Sequence, residues 1–286
     1  MKKLFTLSLA LIITLSAVFC FSSCSDKNGV KVGFQSGTTA QSFMSGDEEW
    51  GFKGFSNIQS MPYDNAALAV TDLKSKNIDF VVVDAEVGKA LANANDSIKC
   101  IDIALTTESY GVAVDKNQPE LLESINKILK DKKSDIDAIF KKYQNVDGDN
   151  FANWNGTMLE ANKYDKDKDQ LVLATNAEFA PIEFVVGNKF AGIDMEIGKL
   201  IADTLGKELV ILNMDFDAIT TSLGKNGVDI GIAGLTINAA RKKAVSFTDS
   251  YCDNAYQVIL VNKDDTTFDG CKTTEDAINV LNGLGK

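Results

Sequence analysis

The sequence predicts an α/β protein made of two similarly built lobes, and three observations carry that expectation. Leu73 to Asp84 reads LKSKNIDFVVVD, and about 150 residues later Leu223 to Gly234 reads LGKNGVDIGIAG. In both, the end of an amphipathic helix meets a polar turn, an Asp follows the Leu by six residues, and an apolar strand comes next. The strand candidates are continuous hydrophobic runs rather than alternating ones, as in sheets buried on both faces. Strand and helix patterns also alternate along the chain. Each echo strand ends at a residue suited to meeting a ligand, Asp84 or Gly234, and α/β sheets hold their sites where strands end.

Taken in order, the N-terminus has Lys2 and Lys3, an apolar run from Leu4 to Phe21, then Ser22, Ser23 and Cys24. A charged start, an apolar middle and small residues describe a secretory signal over residues 1–23. Strand signals follow at Val30 to Phe34, Phe80 to Val83, Ile101 to Leu105, Tyr110 to Val114, Leu171 to Ala174, Leu209 to Leu212, Asp229 to Ala233 and Gln257 to Val261. Helix signals begin after Asp64, a plausible N-cap, and recur over Pro119 to Lys130, Ile136 to Tyr143 and Ile193 to Leu205. In the last of these Ile193, Ile197, Leu200 and Ile201 keep helical spacing, and Gly206 supplies a stop. Residues Gln144 to Gln170 change character to Asn, Asp, Gly and Lys, which reads as a surface connection with room for a short helix at Met158 to Ala161.

Composition excludes several functions. A length of 286 residues with 45% hydrophobic content suits a sizeable core. The net charge is −11 with no basic block beside aromatics, so no nucleic-acid partner is expected. No His occurs, which removes His-based metal sites, Ser-His-Asp triads and Cys-His dyads; no cofactor is expected. Cys100, Cys252 and Cys271 remain beyond the export segment, and Cys100 with Cys271 is the pair to test for a disulfide.

The residues that could carry chemistry follow strand ends. Asn176, Phe179 and Pro181 come after the strand at Leu171 and suit a pocket wall, and Phe216 follows another strand end. Core packing is the commoner role for a lone Phe. Ala233, Gly234 and Thr236 let a small ligand approach backbone and hydroxyl, and Arg241 offers a planar fork for a carboxylate, or else a solvated charge beside Lys242 and Lys243. Gln35, Ser36, Gly37, Thr38 and Thr39 open a helix whose free amides can hold an anion, without the spacing of a nucleotide-binding P-loop. Asp84 could receive a cation or cap a helix. One Arg, one amide-rich helix start and one Asp are what an α-amino acid zwitterion requires.

The strings TNAEF, MDF, AGLTINAARKK and FQSGTT together resemble the polar amino-acid-binding family of extracytoplasmic solute-binding proteins that serve ABC importers. The resemblance implies a two-lobed type II periplasmic-binding-protein fold. The order departs from the family, which places the TNAEF-like segment first; here FQSGTT ends at residue 39 and TNAEF begins at 175. The simplest account is a circular permutation cut at the turn near Leu281 to Lys286, with Gln144 to Gln170 joining the old ends. About 27 residues can reach ~90 Å when extended, more than a domain requires. Each family segment occurs once, which favours permutation over two truncated copies. The comparison implies one lobe from 30–105 plus 256–286, hinges at 106–110 and 251–255, and another lobe over 111–250 that contains the linker.

By the same resemblance Arg241 and the amides of Thr38 and Thr39 hold an α-carboxylate, while Asp84, the Gly234 carbonyl and the Thr236 hydroxyl take the α-ammonium. Asn176, Phe179, Phe216 and Gln35 then surround a side chain for which polar or cationic character is weakly favoured, and Ala233 belongs to the same ligand-binding set. Ser22, Ser23 and Cys24 resemble a lipobox, with Phe21 where Leu is usual, so Cys24 is the expected lipidation site and the protein is expected on a bacterial membrane, exported and anchored. The expected partners are a free amino acid and an ABC permease. Competing classes are a ligand sensor acting through a partner and a dehydratase-like enzyme of the same architecture. Glu178 is the obvious spare acid for the latter, and a binding protein rather than an enzyme is expected.

Overall fold

The computed structural model describes residues 29–144, 146, 151 and 153–284. The signal segment and Cys24 lie outside the described residues. One five-stranded sheet is built from β1 (Val30–Gln35), β2 (Ile58–Tyr63), β3 (Phe80–Asp84), β4 (Ile98–Ile101) and β14 (Gln257–Asn262), in the order β2-β1-β3-β14-β4. All five residues of β3 are buried because each face is covered. Phe80 and Val82 pack with Val32, Phe34, Met44, Phe268 and Leu281 on one side. Val81 and Val83 pack with Val70, Leu73, Val258 and Leu260 on the other. The helices are α1 (Thr39–Ser45), α2 (Ala66–Lys74), α3 (Ala85–Asn93) and, near the C-terminus, Thr274–Gly283.

A second sheet has the order β11-β7-β12-β5-β13 and joins β5 (Glu108–Val114), β7 (Gln170–Thr175), β11 (Glu208–Asn213), β12 (Ile230–Gly231) and β13 (Ser246–Ala255). Here β7 lies parallel to both β11 and β12. The helix Ile193–Leu205 buries Ile193, Ile197 and Ile201, and Gly206 ends it in the left-handed conformation at φ 73°. Two further helices, α4 (Pro119–Asp131) and α5 (Lys133–Tyr143), belong to this half. A small third sheet is formed by β6 (Leu159–Glu160), β8 (Glu178–Phe179), β9 (Glu183–Val186) and β10 (Lys189–Ala191).

The sequence echo has a common physical role in the two sheets. Asp79 donates its amide to the Lys31 carbonyl at 2.9 Å, and its Oδ2 accepts from Lys31 N at 2.8 Å. Asp229 does the same with Val172, at 3.0 Å and 2.9 Å. Each Asp therefore fastens the start of its strand to a residue near the start of the neighbouring parallel strand, Lys31 of β1 or Val172 of β7. The chain crosses between the sheets twice, and the crossovers lie side by side. Leu105 N donates to Gln257 O at 2.9 Å, Gln257 N donates to Thr106 Oγ1 at 3.0 Å, and Ala255 pairs with Glu108.

Several expectations need correction. The strand expected at Ile101 to Leu105 is instead Ile98–Ile101, because residues beyond it turn into the crossover and give their bonds to Gln257. Asn65, not Asp64, caps α2, its side chain accepting from Leu68 N at 2.9 Å. The short helix expected at Met158 to Ala161 is a strand, since Leu159 and Glu160 pair with Phe190 and Lys189. Nor is the connection before it wholly a surface feature: Phe151 is buried, and Trp154 stacks on Tyr143 with centroids 4.9 Å apart. The strand at Asp229 to Ala233 shortens to Ile230–Gly231. Cys100, Cys252 and Cys271 are free thiols. Cys100 and Ile101 alternate on β4, so Cys100 packs toward one core cluster while Ile101 and Cys271 pack in the other.

Candidate functional site

The strands β1 and β7, one from each large sheet, both end at the boundary between the lobes, and loops from both converge there. Thr38, Thr39, Asp84, Phe179, Phe216, Ala233, Gly234, Thr236 and Arg241 line one cavity. Gln35 and Asn176 stand beside it, Gln35 Nε2 donating to Asn176 Oδ1 at 2.8 Å. All eleven residues singled out in the sequence for ligand contact thus come together. The lobes stand closed: the cavity is about 10 Å³, roughly the room of one water. A larger cavity of about 570 Å³ lies between α3 and α5, behind the crossovers, and contains none of those eleven residues.

Arg241 is not a solvated helix-face charge. It lies within the helix Ala239–Ala244, which Asn238 caps through its side chain. Its Nη1 donates to the Thr236 carbonyl and its Nη2 to the Gly37 carbonyl, each at 3.0 Å, so it reaches both lobes. The guanidinium carbon sits 4.9 Å from the Trp50 ring and 5.4 Å from the Phe216 ring. Burial lowers its pKa to about 10, opposed by the charges of Glu108 and Asp84. It stays cationic at neutral pH.

Asp84 begins α3 without capping it through its side chain. Its Oδ1 instead accepts a short hydrogen bond from the Tyr110 hydroxyl. Burial first, and the charge of Glu108 second, push Asp84 up to about 7; hydrogen bonds from Tyr110 and Gln257 and the charge of Arg241 act the other way. A cation arriving beside Asp84 would restore its charged form. Gly234 adopts φ 53°, and its amide donates to Asp194 Oδ2 at 2.7 Å, as Tyr251 does through its hydroxyl at 2.9 Å. Behind Asp194 lies Glu183, wholly buried, which burial and the Asp194 charge hold well above the usual carboxylate range. Asp194 itself is raised to about 6 by burial, against its two donors.

The sequence reading missed Glu108, Tyr110, Gln257 and Trp50. Glu108 and Tyr110 are two apart on one strand and therefore share a face, which is the signal that could have found them. Trp50 gave no such signal, because it meets Arg241 only across the lobes. Glu178, the spare acid, is exposed and accepts from Asn65 Nδ2 at 2.6 Å outside this cavity.

The architecture is a two-lobed α/β fold of the type II periplasmic-binding-protein kind. Residues 171–281 match the model of the bacterial extracellular solute-binding proteins, family 3, which is consistent with the resemblance the sequence carries. The arginine-binding extracellular protein ArtP of Bacillus subtilis is 35% identical over 97 residues, 34% of this chain and 38% of ArtP. The ABC transporter glutamine-binding protein GlnH of the same organism is 36% identical over 85 residues, 29% of this chain and 31% of GlnH. The chain thus spans less than half the length of these relatives. Among solved structures, the ancestral amino acid-binding protein AncCDT-1, a precursor of cyclohexadienyl dehydratase, aligns over 90% of this chain and 89% of its own, with 11% identity and a TM-score of 0.44.

Proposed function

We propose that the protein is an exported receptor that captures a free amino acid between its lobes and delivers it to an ABC importer. The observation that carries this is the meeting of Arg241, Asp84 and the Thr38–Thr39 helix start in one closed interlobe cavity. Arg241 and the amides of Thr38 and Thr39 take the α-carboxylate; Asp84, the Gly234 carbonyl and the Thr236 hydroxyl take the α-ammonium. Gln35, Asn176, Phe179, Phe216 and Ala233 surround the side chain. Polar or cationic side chains are favoured by Gln35 and Asn176, and relatives named for arginine and glutamine support that class.

A cavity of about 10 Å³ admits no amino acid, so the lobes open about the paired crossovers and close on the ligand, which favours the closed state by binding it better. Lipidation at Cys24 places this receptor at a bacterial membrane beside its permease. The permuted order belongs to the same reading. Asn57 Nδ2 donates to the carbonyls of Leu281, at 3.0 Å, and Leu284, while the adjacent Ile58 pairs with Val30. The helix at one end and the strand at the other therefore adjoin where the family's chain would run on.

A binding role is favoured over an enzymatic one because the acids at the cleft, Asp84 and Glu108, are held by hydrogen bonds from Tyr110, Thr39 and Thr236, and the spare acid Glu178 stands outside the cavity. A thermal-shift screen of the free amino acids tests the reading, followed by calorimetry on Arg241→Ala and Asp84→Ala. One-to-one binding that either substitution largely abolishes is expected. If no amino acid raises the melting temperature, the proposal fails.

A further inference from the structure

Glu108 opens β5, directly after one crossover, and only 5% of its surface is exposed. Its Oε1 accepts from Thr106 Oγ1 at 2.6 Å and from Gln257 Nε2 at 3.0 Å, one residue from each crossover. Its Oε2 accepts from Thr39 Oγ1 at 2.7 Å and from Thr236 Oγ1 at 2.6 Å. Those two threonines belong to opposite lobes. One carboxylate thus holds the hinge with one oxygen and the two walls of the cleft with the other.

The bonds also decide the polarity of the threonines. A hydroxyl has a single proton to donate. Thr39 and Thr236 lie 3.0 Å from each other and closer than that to Glu108 Oε2, and an anionic oxygen is the stronger acceptor. Both protons therefore go to Glu108, and both hydroxyl oxygens keep only lone pairs for anything else in the cleft. Lone pairs attract an ammonium and repel a carboxylate. Asp84 stands nearby with the same preference, while Arg241 supplies the opposite one.

We propose that Glu108 is a positioning residue of the ligand site: it ties the hinge to the closed lobes and turns the hydroxyls of Thr39 and Thr236 into acceptors for a ligand's ammonium. The ammonium part rests on the amino-acid reading above; the latch between lobes does not. Glu108→Gln keeps the size of the side chain but puts an amide N–H where one pair of donors must be received.

The test compares wild type and Glu108→Gln in calorimetry, with L-arginine and its deaminated analogue 5-guanidinopentanoate as probes. The variant is expected to lose roughly tenfold to a hundredfold in affinity for arginine, and no more than about threefold for the analogue. Equal losses for both probes would mean that Glu108 only supports the fold, and would overturn the proposal. Thr236→Val, which removes one hydroxyl and leaves Glu108 three donors, is expected to show the same selective loss and serves if Glu108→Gln does not fold. Small-angle scattering without ligand decides the latch separately: Glu108→Gln is expected to be more extended than wild type, and identical profiles would refute it. If wild type binds neither probe, the ammonium role fails, while scattering still decides the latch and the thermal-shift screen still decides the amino-acid reading.

Discussion

Gln35 and Asn176 hydrogen-bond across the cleft at 2.8 Å, joining the ends of β1 and β7, one strand from each large sheet. Asn176 is fixed from its own lobe, since its Nδ2 donates to the Met214 carbonyl at 2.9 Å. Both side chains are buried, so removing one leaves the other's amide without its partner. Asn176→Ala is predicted to weaken binding of the best amino acid by roughly tenfold, the equivalent of one buried hydrogen bond. Calorimetry against wild type measures this, and unchanged affinity would place the pair outside the closure mechanism.

Arg241 uses two separate N–H groups on two carbonyls while lying between two aromatic rings. A lysine has neither the fork nor the flat face. Arg241→Lys is predicted to cost at least about 2 kcal/mol of binding free energy although the charge is kept. An affinity within a factor of two of wild type would show that charge alone matters there.

The titration of Asp84 sets a pH dependence. Its pKa in the fold, about 7, is above its ordinary value, so the stability it contributes is complete below the ordinary value and is lost as pH rises through about 7. A bound ammonium reverses that loss by pairing with the carboxylate. Affinity is therefore predicted to rise between about pH 5 and pH 8, with release of a proton on binding. Calorimetry at neutral pH in buffers of different ionisation enthalpy detects the proton. In Asp84→Asn the affinity should be low and nearly flat with pH.

Asp79 and Asp229 make equivalent bonds in different surroundings: the Asp79 bond to Lys31 is exposed, and that of Asp229 to Val172 is partly buried. Water can replace the former more easily. Asp229→Ala is predicted to cost about 1–3 kcal/mol in urea unfolding, and Asp79→Ala distinctly less. Equal effects would contradict the burial argument.

Gly192 adopts φ 122°, and a Cβ there would stand 2.4 Å from the Ile182 carbonyl oxygen and 2.7 Å from Glu183 Cα. Both are backbone atoms and cannot rotate away. Gly187, at φ 64° with open space around it, faces only the conformational penalty, about 1–2 kcal/mol. Gly192→Ala should therefore lower the melting temperature well beyond Gly187→Ala, as calorimetric unfolding would show.

Hydrophobic runs and helical spacing made Phe80–Asp84, Gln257–Asn262 and Ile193–Leu205 legible, because each is determined by burial of its own neighbours in the chain. Elements whose partners are remote were misread. Leu159–Glu160 becomes a strand only because Phe190 and Lys189 stand opposite, and Ile101 to Leu105 divides where the crossover begins. The site follows the same rule. Asp84, Gly234, Thr236 and Arg241 were legible because strand ends and polar turns announce themselves locally.

The two-lobed α/β class, the echo that fastens each sheet through Asp79 or Asp229, and the residues that meet at the interlobe cavity were legible in the sequence itself. Only tertiary structure decided that Glu108, Tyr110, Gln257 and Trp50 stand among them, that Arg241 reaches Gly37 in the other lobe, and that Cys100 and Cys271 remain thiols. The reason is geometric: hydrophobic pattern and turn chemistry act between near neighbours. A charge held by Thr39 and Thr236, 197 positions apart, exists only once the lobes have met.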